Sequence, residues 1–226
     1  TARPFSGVPE MDEALISNWN ARVGADDSVY IVGDFSYNGG EAPTQYLSRL
    51  NGHLHLIRGN HDTGIEEFLP GRVNIRPATG MTIGDVGFIH GHTWPSEEVM
   101  SSRFLVMAHN HPAVMFRDGV GRQTTEPCWL RGRFNTGSND RYPKLPEGFI
   151  VVPAFNRMLG GSPVNTVGDE LLGPVLNSGL LDLDDAHLYL LDGIDLGRRA
   201  DLMIEGRRNG PWKDRDSGPK RRAKYS

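Results

Sequence analysis

The sequence predicts an α/β fold, and two observations predict it. Up to about residue 83, segments with helical spacing alternate with short apolar runs that end in Gly, Asp or His. Beyond that point one strand-like run follows another, with turn signals between them. Alternating helices and strands favour parallel pairing, so the first part is expected to be mixed α/β and the second mostly β.

Each element follows from local pattern. In "PEMDEALISNWNARV" (9–23), Met11, Leu15, Trp19 and Val23 recur every four residues, with Pro9 at the start and Gly24 past the end, which predicts an amphipathic helix. "SVYIVG" (28–33) reads as a buried strand, "EAPTQYLSRL" as a second helix and "HLHLIRG" as a second strand. Further strands are expected at "DVGFIHG", "FLVMAH", "AVMFRD", "TTEPCWLRG", "GFIVVPAF", "AHLYLLDG" and "RADLMI", with a short helix near "WPSEEVM". "FRDGVGRQ" carries the Asp-Gly signal of a hairpin, and the polar stretch 133–148 reads as a long loop.

Composition bounds the function. A chain of 226 residues can bury one sizeable core, and 38% hydrophobic with 23% charged residues excludes a disordered chain. No apolar run reaches the roughly 20 residues of a membrane span, and the start lacks a signal-peptide layout, so a cytoplasmic location is expected, with no membrane partner. A single cysteine, Cys128, excludes an intrachain disulfide framework and reads as a small buried hydrophobe. The net charge of −4 is unevenly spread. Residues 206–226 hold 8 Lys/Arg against 2 Asp, hence +6, which leaves −10 for residues 1–205. The tail is expected to be a disordered basic end beyond a domain of residues 1–205, with nucleic acid as a possible partner.

The chemistry lies where strands end. Asp34 follows "YIVG", Asn60 and His61 follow "LIRG", His90 and His92 follow "GFI", and His109 and His111 follow "LVMA". The carboxyl ends of strands in an α/β sheet share one edge, so these side chains are expected in one small volume. A carboxylate, an amide and several imidazoles gathered there are costly unless a divalent cation compensates them. A mononuclear structural site fits less well, because structural zinc prefers Cys and His to Asn60.

"GD" (33–34), "GNHD" (59–62), "HGH" (90–92) and "AHNHP" (108–112), in that order and each after a strand, resemble the calcineurin-like metallophosphoesterase superfamily. The resemblance covers nearly the whole chain. Residues 1–62 look most like small bacterial phosphoesterases, and residues 85–200 more like archaeal and bacterial ligase-associated ones. It implies a four-layer α/β/β/α sandwich and hydrolysis of a phosphate ester, a diester before a monoester, by a metal-activated water. It implies two divalent metal ions, Mn first, with Fe, Zn or Ni as alternatives. Asp34 would bridge them, Asn60, His90 and His109 would complete one site, and His111 would join the second. His61 would face the phosphate as general acid, oriented by Asp62; His92 has no fixed role.

Two departures qualify the resemblance. Ala108 stands where the family has glycine, and no D-x-H precedes Asp34, so the family's first strand is expected ahead of Thr1. Asp185-Ala186-His187 spells D-x-H but enters a strand instead of leaving one. The chain as given thus carries one complete metal site and half of another. That departure motivates the alternative function, a catalytically impaired fold acting as a binding or scaffold module.

Overall fold

In the computed structural model, the described residues are 4–36, 42–68, 71, 73–135, 137, 139–156 and 158–205. The basic tail expected at 206–226 lies outside them. Three strands, β1 (Ser28–Ile31), β2 (His53–Ile57) and β3 (Val73–Arg76), pair in parallel as β1-β2-β3. Helices α1 (Val8–Asn20) and α2 (Ala42–Leu47) accompany them, and Ile16 and Leu47 pack with Leu54, Leu56, Ile65 and Val73 into one core. Alternation along β2 sends Leu54 and Leu56 toward that core and His55 to the opposite face, where its ring stacks on Tyr30 at 4.7 Å.

The second sheet starts with β4 (Met81–Ile83), β5 (Val86–Ile89) and β6 (Phe104–Met107). It continues with β7 (Pro112–Arg117), the long β8 (Gln123–Phe134), β9 (Gly148–Val151) and β10 (Ser162–Pro163). Its order is β10-β7-β8-β9-β6-β5-β4, and β5, β6 and β9 run parallel. β11 (Thr166–Val167) pairs with β14 (Ile204–Glu205), while β12 (Leu181–Leu190) joins β8 and carries β13 (Asp195–Arg198) on its other side. Helix α3 (Glu97–Met100), N-capped by the Ser96 hydroxyl, buries Val99 and Met100 against the larger core. That core gathers Ile89, Leu105, Met107, Leu130, Phe149 and Leu188.

The two sheets meet where Tyr30 of β1 stacks on Phe88 of β5, with ring centroids 6.0 Å apart. With α1 and α2 against the smaller sheet and α3 against the larger, the layers run α/β/β/α.

Four details depart from the sequence expectations. Helix α1 buries Ile16 and leaves Leu15 47% exposed, and the half-buried Asp12, one turn before Ile16, accepts a hydrogen bond from the Tyr46 hydroxyl at 2.9 Å. β1 is half-buried instead of buried, since among the described residues β2 alone pairs with it. "RADLMI" forms a 3-10 turn at Arg199–Leu202 followed by β14, and the strand in that region is β13. The Asp-Gly hairpin has a five-residue loop, 118–122, in which the Asp118 carboxylate accepts the Val120 and Arg122 N–H groups. Strands β3 and β4 had no place among the expectations.

Candidate metal centre

The sheet register sets the site. Ile89 pairs with Met107 and Met107 with Val151, so the chain leaves β5, β6 and β9 at one level. His90 and Ala108 follow immediately, joined by the Ala108 N–H donating to the His90 carbonyl at 2.9 Å. From the smaller sheet, β1 delivers Asp34 and β2 delivers Asn60 and His61.

Asp34, His90 and His109 present ligand atoms that all lie within 4.8 Å of one another. The His90 Nε2 sits 3.2 Å from Asp34 Oδ2, 3.2 Å from Asn60 Oδ1 and 3.2 Å from His109 Nδ1. The other nitrogen fixes what Nε2 can do. His90 Nδ1 is 2.8 Å from the Val32 carbonyl, an acceptor without a proton, so Nδ1 must carry the hydrogen. In the neutral ring, Nε2 then aims a lone pair at a carboxylate oxygen, an amide oxygen and a second imidazole. A carboxylate oxygen and an amide oxygen converging on that lone pair repel it unless a proton or a metal cation stands among them, and a carboxylate, an amide and imidazoles suit a divalent transition metal. The Val32 carbonyl is the partner that orients the His90 ring.

Backbone conformation marks the same residues. Among the described residues the non-glycine residues with positive φ are Asp34 (53°), His109 (61°) and His111 (47°). Each is in the left-handed region, which costs of order 1 kcal/mol or more for a side chain with a Cβ, and such strain concentrates at functional sites. Two glycines make room. A Cβ on Gly33, itself at φ 83°, would stand 2.2 Å from His90 Nδ1, and one on Gly59 would stand 2.1 Å from Asp34 Oδ1. The glycines of "GD" and "GNHD" are therefore spaces for ligand side chains.

Asp62 is fully buried and braces the two strand ends. Its carboxylate accepts the N–H groups of Asp34 and Gly59, both at 2.8 Å, and of Ser36 at 3.2 Å. The His61 N–H donates to Asp34 Oδ1 at 3.0 Å, which places this residue beside the cluster. The His92 ring lies 5.3 Å from that of His90 and 5.9 Å from that of His109, with a buried Nδ1 that has no hydrogen-bond partner. His111 stays outside the ion-sharing group and lines a neighbouring cleft. Asp185 and His187 lie far along β12, where the exposed His187 bonds to Asp195.

Three supports were not read from the sequence. The Val32 carbonyl and the Ser36 N–H are backbone groups, which no residue type signals. Asn110 is fully buried between the two histidines of "HNH", and its Oδ1 accepts the Leu172 N–H at 2.7 Å, tying the loop after β11 to the site. A polar residue between two candidate ligands at a strand end was the signal available for it.

The electrostatics favour a charged carboxylate among neutral rings. Burial alone would raise the Asp34 pKa, but a hydrogen bond from His90 in its protonated, metal-free form and one from the His61 N–H, with the charge of protonated rings, bring it down to about 2. Burial lowers His92, His109 and His111, the His90 ring adds to it, and His109 reaches about 4. The rings thus offer lone pairs near neutrality. Below the ordinary imidazole value of 6.5 the unfolded chain takes up protons that these folded rings refuse. The metal-stripped protein is therefore expected to lose thermal stability as pH falls from about 6.5 toward 4, with Asp34 adding to the loss only below about 3.8. Scanning calorimetry across that window checks the sign, and a midpoint that holds steady or rises on acidification contradicts it.

Fold and site together define a two-sheet α/β protein with an Asp/His cluster at the strand ends. No family profile matches the chain. It is 40% identical over 100 residues to the uncharacterized protein MJ1445 of Methanocaldococcus jannaschii, a match covering 40% of this chain and 57% of that protein. The chain thus spans little more than half the length of that relative. Among solved structures it is similar to a nuclease MPE from Pseudomonas putida, with TM-score 0.48 and 17% identity, over 82% of this chain and 78% of the other. It is also similar to a Vps29 double mutant from Entamoeba histolytica, with TM-score 0.28 and 15% identity, over 65% and 75%.

Proposed function

We propose that the protein is a metal-dependent phosphoesterase, a phosphodiesterase in preference to a monoesterase, acting on a nucleotide or nucleic-acid phosphate in the cytoplasm. One observation carries the reading: His90 Nε2 faces Asp34, Asn60 and His109 at 3.2 Å each, a donor set that calls for a cation. Asp34, Asn60, His90 and His109 would hold one divalent ion, Mn first, and Asp34 with His111 would contribute to a second. Such ions, when bound, neutralise phosphate oxygens and acidify water.

The chain's own groups do the remainder. Asp34 stays ionised to about pH 2, so its charge is present throughout the working range. The Val32 carbonyl fixes the His90 ring, and Asp62 clamps the loops that carry Asp34 and Gly59. His61, held beside Asp34 through its own N–H, supplies the imidazole that meets the phosphate and protonates the leaving oxygen. In the protein, His61→Ala is expected to lower kcat for Mn-dependent hydrolysis of a dinucleotide diester, whose alkoxide leaving group needs a proton, by about 10²–10⁴ while Mn binding persists. Unchanged kcat would remove His61 from the mechanism.

A second reading, a phosphoesterase fold serving as a binding or scaffold module, is favoured by the position of His111 outside the ion-sharing group. It predicts Mn binding by the full-length gene product with no hydrolysis of mono- or diesters.

A further inference from the structure

Beside the metal centre lies a cleft of about 240 Å³. Its walls include His111, Pro127, Ala154 and Leu159, with Thr125 and Asn156 as polar groups in an otherwise largely apolar lining. The cleft belongs to the same edge as the site. The chain leaves β9 at Val151, level with His90 and Ala108, and pairs again in β10, where Ser162 meets Pro112. The Ser162 N–H donates to the His111 carbonyl at 2.9 Å, so this loop is fastened to the backbone of a candidate ligand. Phe155 is 91% exposed between the lining residues Ala154 and Asn156, and Met158 and Leu159 are 54% and 50% exposed. Exposing three large apolar side chains within five residues is costly unless a ligand covers them.

We infer that this cleft takes a planar aromatic ring carried by the phosphate ester, with Phe155 as a stacking face at its entrance. The inference rests on the phosphoesterase reading, because His111 connects the phosphate position to the cleft. Size supports a ring: sites that engulf a whole drug-sized ligand run to about 300–1,000 Å³, and this one is smaller. Chemistry supports it too. Apolar walls receive the ring faces, the Thr125 hydroxyl stands in the lining beside its edge, and an exposed phenyl group stacks on any flat π-system.

The test compares two phosphonates that cannot be hydrolysed and differ only in the ring. Calorimetric titration of the Mn-loaded, full-length protein is expected to give phenylphosphonate a roughly tenfold tighter Kd than methylphosphonate. Leu159→Trp and Thr125→Trp each add a bulky side chain to the cleft lining at exposed positions, and each is expected to shrink that preference to less than about twofold with methylphosphonate binding unchanged. Displacement of phenylphosphonate by thymidine marks a nucleobase as the natural ring, and displacement by phenol alone marks a simple aryl ester; both support the cleft. Equal affinities for the two phosphonates, or a preference that survives both substitutions, overturns the inference and leaves the phosphoesterase reading intact. Binding of neither phosphonate overturns both.

Discussion

Asp34→Ala is expected to lower Mn-dependent phosphodiester hydrolysis by about 10²–10³ or more and to abolish tight Mn binding. Asp34 combines three roles. Its Oδ2 faces His90 Nε2 at 3.2 Å, its Oδ1 accepts the His61 N–H at 3.0 Å, and its backbone holds a φ of 53° that aspartate tolerates better than alanine. Alanine removes both oxygens, leaving the His61 N–H without its acceptor and the cation without a charged ligand. Asp34→Asn separates charge from shape, because it retains an oxygen for His61 and the left-handed preference. If charge is what the site needs, the asparagine variant fails at metal binding almost as completely as alanine does. Calorimetry with Mn checks both, and retention of wild-type affinity in either would contradict the role given to Asp34.

Gly33→Ala is the second large effect. The added methyl group would stand 2.2 Å from Nδ1 and 2.5 Å from Cγ of His90, closer than real contacts allow, at a φ of 83° that alanine resists. The His90 ring must move, which breaks its bond to the Val32 carbonyl and turns Nε2 away from its partners. Loss of such an orienting contact typically costs 10–100-fold in metal affinity, and the left-handed backbone adds about 1–2 kcal/mol of instability. Gly64→Ala is the control, since its φ is 75° and nothing lies within 4 Å of the added carbon. Gly64→Ala is expected to pay the backbone cost alone, with Mn affinity unchanged. Equal Mn affinities for wild type and Gly33→Ala would show that the His90 orientation does not matter.

The strand-end chemistry was legible because hydrophobic runs and their polar terminators sit side by side in the chain. "YIVGD", "LIRGNHD", "GFIHGH" and "LVMAHNH" each announce a core strand and what it carries outward, and the structure places Asp34, Asn60, His90 and His109 together. What periodicity could not supply was tertiary choice. The four-residue spacing of Leu15 with Met11 and Trp19 suits burial, but the structure buries Ile16 instead, on the helix face where Asp12 meets Tyr46, 34 residues away. β3 and β4 are too short to show a period, and β13, with Asp195 and Gly197, has no strand-like composition; pairing with β12 makes it a strand. Asp62 and Asn110 were invisible as braces because most of the groups they hold, the Asp34, Ser36 and Leu172 N–H groups, are backbone donors distant in sequence.

The most direct measurement is anomalous diffraction at the manganese edge from crystals of the protein equilibrated with Mn. A peak coordinated by Asp34, Asn60, His90 and His109 is expected, with the His90 Nδ1 hydrogen bond to the Val32 carbonyl retained. An ordered, well-diffracting crystal with no peak among these four residues, or with Mn held elsewhere, would contradict that expectation.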